Sequence, residues 1–438
     1  MSITPPPTYS PPKQEATALT GVVSDLKQAL AEVTKTNTTI VPEVAKKHFN
    51  VENPAPVNVF NYTGAVFDDD EEEYEYADYL PSFPELTLPP LGDIPFTDRG
   101  HFADAKKANL YAEAAAQGGS VKHYTPVLGV EFKGVSLKQL SKQALDDLAL
   151  LIAERGVVVF RKQDDLSIED QLAIGAHWGP LHLHATTGVP RKAGLEHVHV
   201  VYADKGARPD ATAFAKLELY HSDVTYELQP PGPTLLRNLV TPDLGGDTIF
   251  SSGAAVYSSL SPYFQKYLES LSAVHSGHEQ AKGARSAGQH VRREPIETVH
   301  PLVRVHPVTG IKSVFFNAGF ARRIVGVPKA ESDNVMRFLN EQFAVNHDFT
   351  WRVKWEKDDV VIWDNRVVNH SALFDFWPER RHAVRVTPHG ERPESVESYE
   401  ARTGLKAKDW ADERYKALGV AKPSLGGGVG KKERGFKD

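Results

Sequence analysis

His221-Ser222-Asp223 sets an imidazole and a carboxylate two residues apart, and His370 follows far downstream. Residues i and i+2 of an extended segment point the same way. Both side chains can therefore reach one ion while a third ligand arrives from a distant strand. Two nitrogens and one carboxylate form the ligand set that holds non-haem Fe(II) with coordination positions left open. With 18 histidines in the chain a bare His-x-Asp arises easily by chance, so its neighbours decide its meaning. Beyond His370 comes Arg381-His382-Ala383-Val384-Arg385. As a strand it puts Arg381, Ala383 and Arg385 on one face and His382, Val384 and Val386 on the other. Two guanidiniums flanking a small Ala make a cationic wall. A solvent-facing edge would use the same residues for solubility, but the apolar Val360–Trp363 just upstream favours an inward wall, which two anions must satisfy. Arg pairs bidentately with planar oxyanions, which suits a dicarboxylate cosubstrate and an anionic substrate.

Gly245-Gly246-Asp247-Thr248 reads either as a plain glycine turn into a strand or as a turn that sets the Thr248 hydroxyl beside the ion, able to bond a ligand carboxylate. His182-Leu183-His184 and His197-Val198-His199 repeat the i, i+2 spacing. Either pair could serve a cupin-like metal-binding protein without a cosubstrate, and half-buried strands with polar alternation would explain them equally. His184 could instead donate to a substrate anion.

The elements that must position these residues are short strands. Val157–Phe160, Val198–Tyr202, Thr234–Val240, Thr248–Phe250, Leu302–Val305, Val314–Phe316, Val360–Trp363 and Ala383–Thr387 are β-like runs, many separated by Gly or Pro. Helical periodicity is expected over Leu137–Ile152, ending before Gly156, over Ala254–Ser272 and over Lys329–Phe343. Many strands with a few flanking helices predict an α+β chain with a mainly β core, a sandwich or jelly roll under helical cover. Residues 1–75 form a variable extension with a short helical pattern at Leu19–Val33 and an acidic run at Asp68–Glu73, 76–400 the main domain, and 401–438 a C-terminal extension ending in a Gly/Lys-rich tail.

The 438 residues carry a net charge of −7, which does not favour a nucleic-acid partner. Cys is absent, so a metal must be held by His, Asp or Glu. No apolar run is long enough to span a membrane and the N-terminus lacks a signal-peptide pattern, so a cytoplasmic location is expected. Sequons at Asn37, Asn61 and Asn369 are read as chance, since a glycan at Asn369 would obstruct His370. The oligomeric state stays open. Leu137–Ile152 could serve a homo-oligomer interface as well as a core.

Taken in order, Leu181-His182-Leu183-His184, His221-Ser222-Asp223-Val224-Thr225-Tyr226-Glu227, Gly245-Gly246-Asp247-Thr248, Trp363-Asp364-Asn365-Arg366, His370 and Arg381–Arg385 resemble the TauD/TfdA family of Fe(II)- and 2-oxoglutarate-dependent dioxygenases, over about residues 123–393. Gln229-Pro230-Pro231 and His300–Pro307 resemble the fungal sulfonate dioxygenases in particular. The resemblance implies a double-stranded β-helix. It also implies that His221, Asp223 and His370 ligate Fe(II), that Arg381 and Thr248 bind 2-oxoglutarate, and that Arg385 and His184 bind a substrate sulfonate. O2 would be the oxidant, and a small sulfonate would be hydroxylated next to sulfur and fall apart to an aldehyde and sulfite. An alkyl sulfate or a carboxylate is the alternative substrate. A polar Asn that reads the substrate amine in taurine enzymes is replaced by Leu217, and a nearby tyrosine by Thr187. An apolar side chain cannot hydrogen-bond an ammonium, so a substrate more apolar than taurine is expected.

Overall fold

The computed structural model describes residues 74–204 and 216–421. The pattern at Leu19–Val33, the run Asp68–Glu73, the tail from 422 and the sequons Asn37 and Asn61 lie outside them.

Among the described residues, ten strands build the two layers that carry the site. They are β1 (Ser120–His123), β2 (Val130–Lys133), β3 (Val157–Phe160), β4 (Val198–Ala203), β5 (Pro233–Val240), β6 (Thr248–Ser252), β7 (Thr350–Val353), β8 (Val360–Asp364), β9 (Val368–Ala372) and β10 (Arg381–Val386). The larger sheet runs β1-β2-β3-β8-β5-β10-β4 and the smaller β7-β6-β9. Every pairing in both is antiparallel except β2 with β3.

Period-2 alternation explains the layering. Val157, Val159, Leu236, Val361, Trp363 and Ala383 face Phe250, Trp351, Val353 and Val368 of the smaller sheet. Their neighbours Val158, Phe160, Leu235, Val360 and Ile362 point the other way, onto helices α1 (Lys142–Arg155) and α2 (Ile168–Trp178) through Leu145, Leu148, Ile152 and Trp178. Trp363 and its neighbours on both faces are buried, so β8 reads as a continuous apolar run. This is the double-stranded β-helix with helical cover that the motifs imply.

The helix expected from Leu137 begins instead at Lys142, because the Ser141 side chain caps it by accepting from the Ala144 amide. It ends at Gly156, whose φ is 70°. Its apolar face is buried in the core of the chain. The single helix expected over Ala254–Ser272 is two, α3 (Gly253–Ser259) and α4 (Pro262–Glu269). Ser261 caps the second and Pro262 occupies its first turn, so the chain restarts there. The strand expected at Val314–Phe316 covers Lys312–Val314. Helix α5 (His278–Ser286) lies between α4 and that strand, and α6 (Lys329–Val345) lies close to its predicted range. The chain stays ordered past residue 400. Tyr399 and Ala411 of two further helices, Val396–Thr403 and Trp410–Ala417, are buried, and the Ala411 amide bonds Ser258 Oγ at 3.3 Å.

Candidate active site

His370 sits in β9, in the smaller sheet, and its backbone exchanges hydrogen bonds of 2.9 and 2.7 Å with that of His221. This bridge brings the two distant histidines together, with ring centroids 4.2 Å apart. Asp223 Oδ1 lies 3.9 Å from His221 Nε2 and 4.0 Å from His370 Nε2. The His221 Nδ1 donates to the Leu219 carbonyl at 2.8 Å, and since a carbonyl only accepts, Nε2 presents its lone pair to the cluster. The Asp223 amide is held by Asn365 Oδ1 at 3.0 Å. Val224, next in line, takes a φ of 36°, an uncommon conformation for a β-branched residue.

The electrostatics favour a bound cation. Burial pushes the Asp223 carboxyl up, but the neighbouring Arg385 guanidinium leads the opposing effects and the carboxyl stays well below the usual carboxylate range. Burial lowers both imidazoles, so each is neutral and able to ligate. Asp223 Oδ2 is buried without a hydrogen-bond partner among the described residues, an orphaned acceptor that a metal ion would satisfy. Two neutral imidazoles, one carboxylate and no thiolate fit Fe(II).

One cavity joins this cluster to both arginines; its walls include His184, Thr187, His199, Thr248, Trp355, Arg381 and Arg385. The Gly245 and Gly246 φ values of 80° and 69° make the turn that delivers Thr248 to the start of β6. A Cβ on Gly245 would meet Asp375 Oδ1 at 2.6 Å. Thr248 Oγ1 accepts from the indole N–H of Trp355 at 3.0 Å, and Arg381 lies over the same ring, 5.8 Å from its centroid. Arg381, Ala383 and Arg385 do face inward together, with Ala383 against the core between the sheets.

Arg385 donates to Asp223 Oδ1 at 2.9 Å and to His199 Nδ1. Its charge is thus partly matched by Asp223. His184 Nδ1 accepts from the Thr186 and Thr187 amides at 3.1 and 3.3 Å, so its proton sits on Nε2. Burial holds the imidazoles of both His184 and His199 well below the ordinary range, so each is a neutral donor. Thr187 Oγ1 is buried with no hydrogen-bond partner among the described residues. Leu217 does not join this group. It sits 37% exposed on a short turn, while Leu219 takes the place at the cavity wall.

The competing histidine pairs diverge. His182 Nε2 bonds Glu227 Oε1 at 2.9 Å, and His197 Nδ1 donates to the His182 carbonyl at 3.3 Å, whereas His184 and His199 turn to the main cavity. Neither i, i+2 pair converges on one point, which removes the support for a cupin-like imidazole site. A second cluster, His182–Glu227–His389, also has ligand atoms within 4.8 Å of one another. There Glu227 Oε1 bonds His182 Nε2 and lies 3.8 Å from Arg293 Nη1, Oε2 is buried without a hydrogen-bond partner among the described residues, and none of the three residues lines the cavity that holds Arg381 and Arg385. The sequon at Asn369 is buried, its Nδ2 donating to the Phe316 carbonyl at 2.8 Å.

Residues 120–387 match the family described as "Taurine catabolism dioxygenase TauD, TfdA family". The chain belongs to this family. It is 41% identical over 334 residues to the alpha-ketoglutarate-dependent sulfonate dioxygenase of Saccharomyces cerevisiae, covering 74% of this chain and 79% of that protein. It is 41% identical over 323 residues to the alpha-ketoglutarate-dependent dioxygenase cnsM of Penicillium expansum, covering 72% and 89%. The crystal structure of a taurine dioxygenase from Burkholderia xenovorans aligns with a TM-score of 0.53 at 29% identity, over 64% of this chain and 94% of that one. TauD/TfdA membership entails a metal ion, 2-oxoglutarate and O2 as working parts. In the sequence, His199 is marked only as a possible metal ligand through its i, i+2 spacing, and no local signal marks Trp355.

Proposed function

We propose that the chain is an Fe(II)- and 2-oxoglutarate-dependent dioxygenase that hydroxylates the carbon next to sulfur in a small organosulfonate. One observation carries the reading: the cluster of two histidines and a carboxylate, an Arg381–Thr248–Trp355 group and an Arg385–His184–His199 group open on one cavity. His221, Asp223 and His370 hold Fe(II), which together with 2-oxoglutarate supplies the activation of O2. Arg381 and Thr248 would bind a carboxylate of 2-oxoglutarate. Arg385 and the Nε2–H groups of His184 and His199 hold the sulfonate, and Thr187 offers a hydroxyl beside them. All are donors to oxygen, which suits a tetrahedral oxyanion. The apolar walls, including Leu236, Phe320 and Phe374, exclude water and fix one C–H bond in place.

One oxygen atom of O2 goes to the carbon and the other to succinate, with CO2 lost from 2-oxoglutarate. The α-hydroxysulfonate then collapses: the hydroxyl loses its proton, a C=O bond forms, the C–S bond breaks and sulfite leaves with the electron pair. An alkyl sulfate would present the same oxyanion and release sulfate. The partner is a small anion, and among the described residues no helix is long and apolar enough to cross a membrane. A cytosolic location is part of the proposal.

A panel of sulfonates, alkyl sulfates and carboxylates, scored for succinate and sulfite with Fe(II), 2-oxoglutarate and ascorbate, tests it. Stoichiometric sulfite and succinate from a sulfonate is the expected result. Hydroxylated carboxylate with no sulfite from any sulfonate would overturn the assignment.

A further inference from the structure

Part of the cavity wall away from the assigned groups is built by Val224, Phe320 and Gln280, the last on helix α5. Val224 and Phe320 pack with Tyr226, whose ring meets Phe320 edge-on at 4.9 Å. The Tyr226 hydroxyl is buried and lies 2.8 Å from Gln280 Oε1. Burial, with the neighbouring Glu227 carboxylate, raises that hydroxyl well above its ordinary range, so it keeps its proton. A buried O–H must donate somewhere, and Gln280 Oε1 is the acceptor it has among the described residues. Turning the amide over would leave the phenol proton without an acceptor. The Gln280 carbonyl is therefore committed to Tyr226, and its NH2 is left as a donor on a half-exposed side chain that lines the cavity. Gly277 permits the close packing: a Cβ there would meet the Tyr226 ring at 2.9 Å.

The remaining polar groups of the lining matter as much. Among the described residues, the carboxylate on the cavity wall is Asp223, already committed to the metal cluster and Arg385. An ammonium on the substrate would meet the donor amide of Gln280, with no carboxylate free to pair with it on the described wall. A hydroxyl, ether or carbonyl oxygen would be received there.

We infer that Gln280, oriented by Tyr226, is a specificity residue that selects sulfonates carrying an uncharged oxygen acceptor at their far end over those ending in an ammonium. This rests on the proposed sulfonate site and names the substrate class it serves. It also moves the determinant from Leu217, which lies off the cavity wall, to a residue on a distant helix.

Calorimetric titration of the full-length protein, loaded with Fe(II) and 2-oxoglutarate under nitrogen, tests it with 2-hydroxyethanesulfonate, its near-isostere propane-1-sulfonate, and taurine. The hydroxyl compound should bind about tenfold tighter than propane-1-sulfonate, as one added hydrogen bond allows, and tighter still than taurine. Gln280→Leu should bring the first ratio close to one. Gln280→Glu, which replaces the donor by an acceptor, should reverse the order so that taurine binds best. Tyr226→Phe frees the amide to turn and should narrow the gap between taurine and the hydroxyl compound. Taurine binding as tightly as 2-hydroxyethanesulfonate to the native chain, or ratios that ignore both Gln280 substitutions, would overturn the inference. Sulfite release is read separately in air: its absence alongside the expected binding ratios counts against the reaction proposed above and leaves the pocket assignment standing.

Discussion

At the scale of single residues, hydrogen-bond direction does most of the deciding. Thr248 accepts from the Trp355 indole, which leaves its own proton for the proposed 2-oxoglutarate carboxylate. Thr248→Val keeps the shape and deletes that donor. The KM for 2-oxoglutarate should rise about three- to tenfold, the worth of one such bond, and Trp355→Phe should raise it less, because the ring under Arg381 survives. Succinate formation against 2-oxoglutarate concentration measures both, and an unchanged KM in Thr248→Val would remove that residue from the cosubstrate site. His221→Ala deletes a ligand. Bound iron after anaerobic loading should fall from about one per chain to under a tenth, and retention of a full equivalent would eliminate the cluster as the metal site. His370, far downstream, carried no local signal in the sequence, whereas His221 and Asp223 were legible as a candidate pair because period-2 spacing is a local property. His199, Trp355 and Gln280 were not, because each acquires its role from a partner on a distant segment: Arg385, Thr248 and Tyr226 respectively.

At the scale of elements, the turn between β8 and β9 buttresses the His221–Asp223–His370 cluster. Asn365 reaches the Asp223 amide at 3.0 Å with one end and Gly232 O and Thr234 Oγ1 with the other. The next residue, Arg366, is buried among Asp98, Asp364 and Glu391, with Nη1 3.0 Å from Glu391 and Nη2 2.7 Å from Asp364. Asn365→Ala should weaken iron binding about tenfold or more, as loss of a group supporting a ligand does, with some loss of stability. Arg366→Ala leaves buried carboxylates without their cation and should cost about 3–5 kcal/mol, while Arg366→Lys restores charge without the fork and should recover only part of it. Denaturant unfolding with iron titration separates the two effects; an Asn365→Ala chain with native iron affinity would show that the turn does not steady Asp223. The strands that alternate or run apolar were legible for the reason this turn matters: β3, β5 and β8 face two layers at once. Strand β9 was not, since Val-Asn-His-Ser-Ala has too few apolar residues to announce itself, and it becomes a strand by pairing with β6.

Over the whole molecule, the chain buries many histidines outside the metal cluster, and their protonation sets its acid limit. His275 is pushed down to about 3 by burial and the neighbouring His300, and His300, His382 and His389 to about 4, burial again the largest cause. Each is held as a neutral ring: His300 donates to the Glu227 carbonyl at 2.8 Å, His389 to the Gln229 carbonyl at 3.0 Å, and His382 bridges the Tyr74 hydroxyl and the Tyr79 carbonyl. In the unfolded chain these groups take up protons below the ordinary value of 6.5. Between pH 6.5 and about 4 the unfolded state therefore binds more protons than the folded one, and stability falls with pH by about 1.4 kcal/mol per unit for each histidine. Above pH 6.5 they contribute no slope. Depressed carboxylates such as Asp364 lose their contribution only at lower pH, so the histidines act first. Four of them together should lower Tm on the order of 10 °C between pH 7 and 5.5. His300→Gln, which keeps a donor for the Glu227 carbonyl but cannot titrate, should make that decline shallower by about a sixth, since His184 and His199 share it. A Tm flat across this range, or a slope that His300→Gln leaves untouched, would mean that the buried rings are not the groups through which acid unfolds the chain.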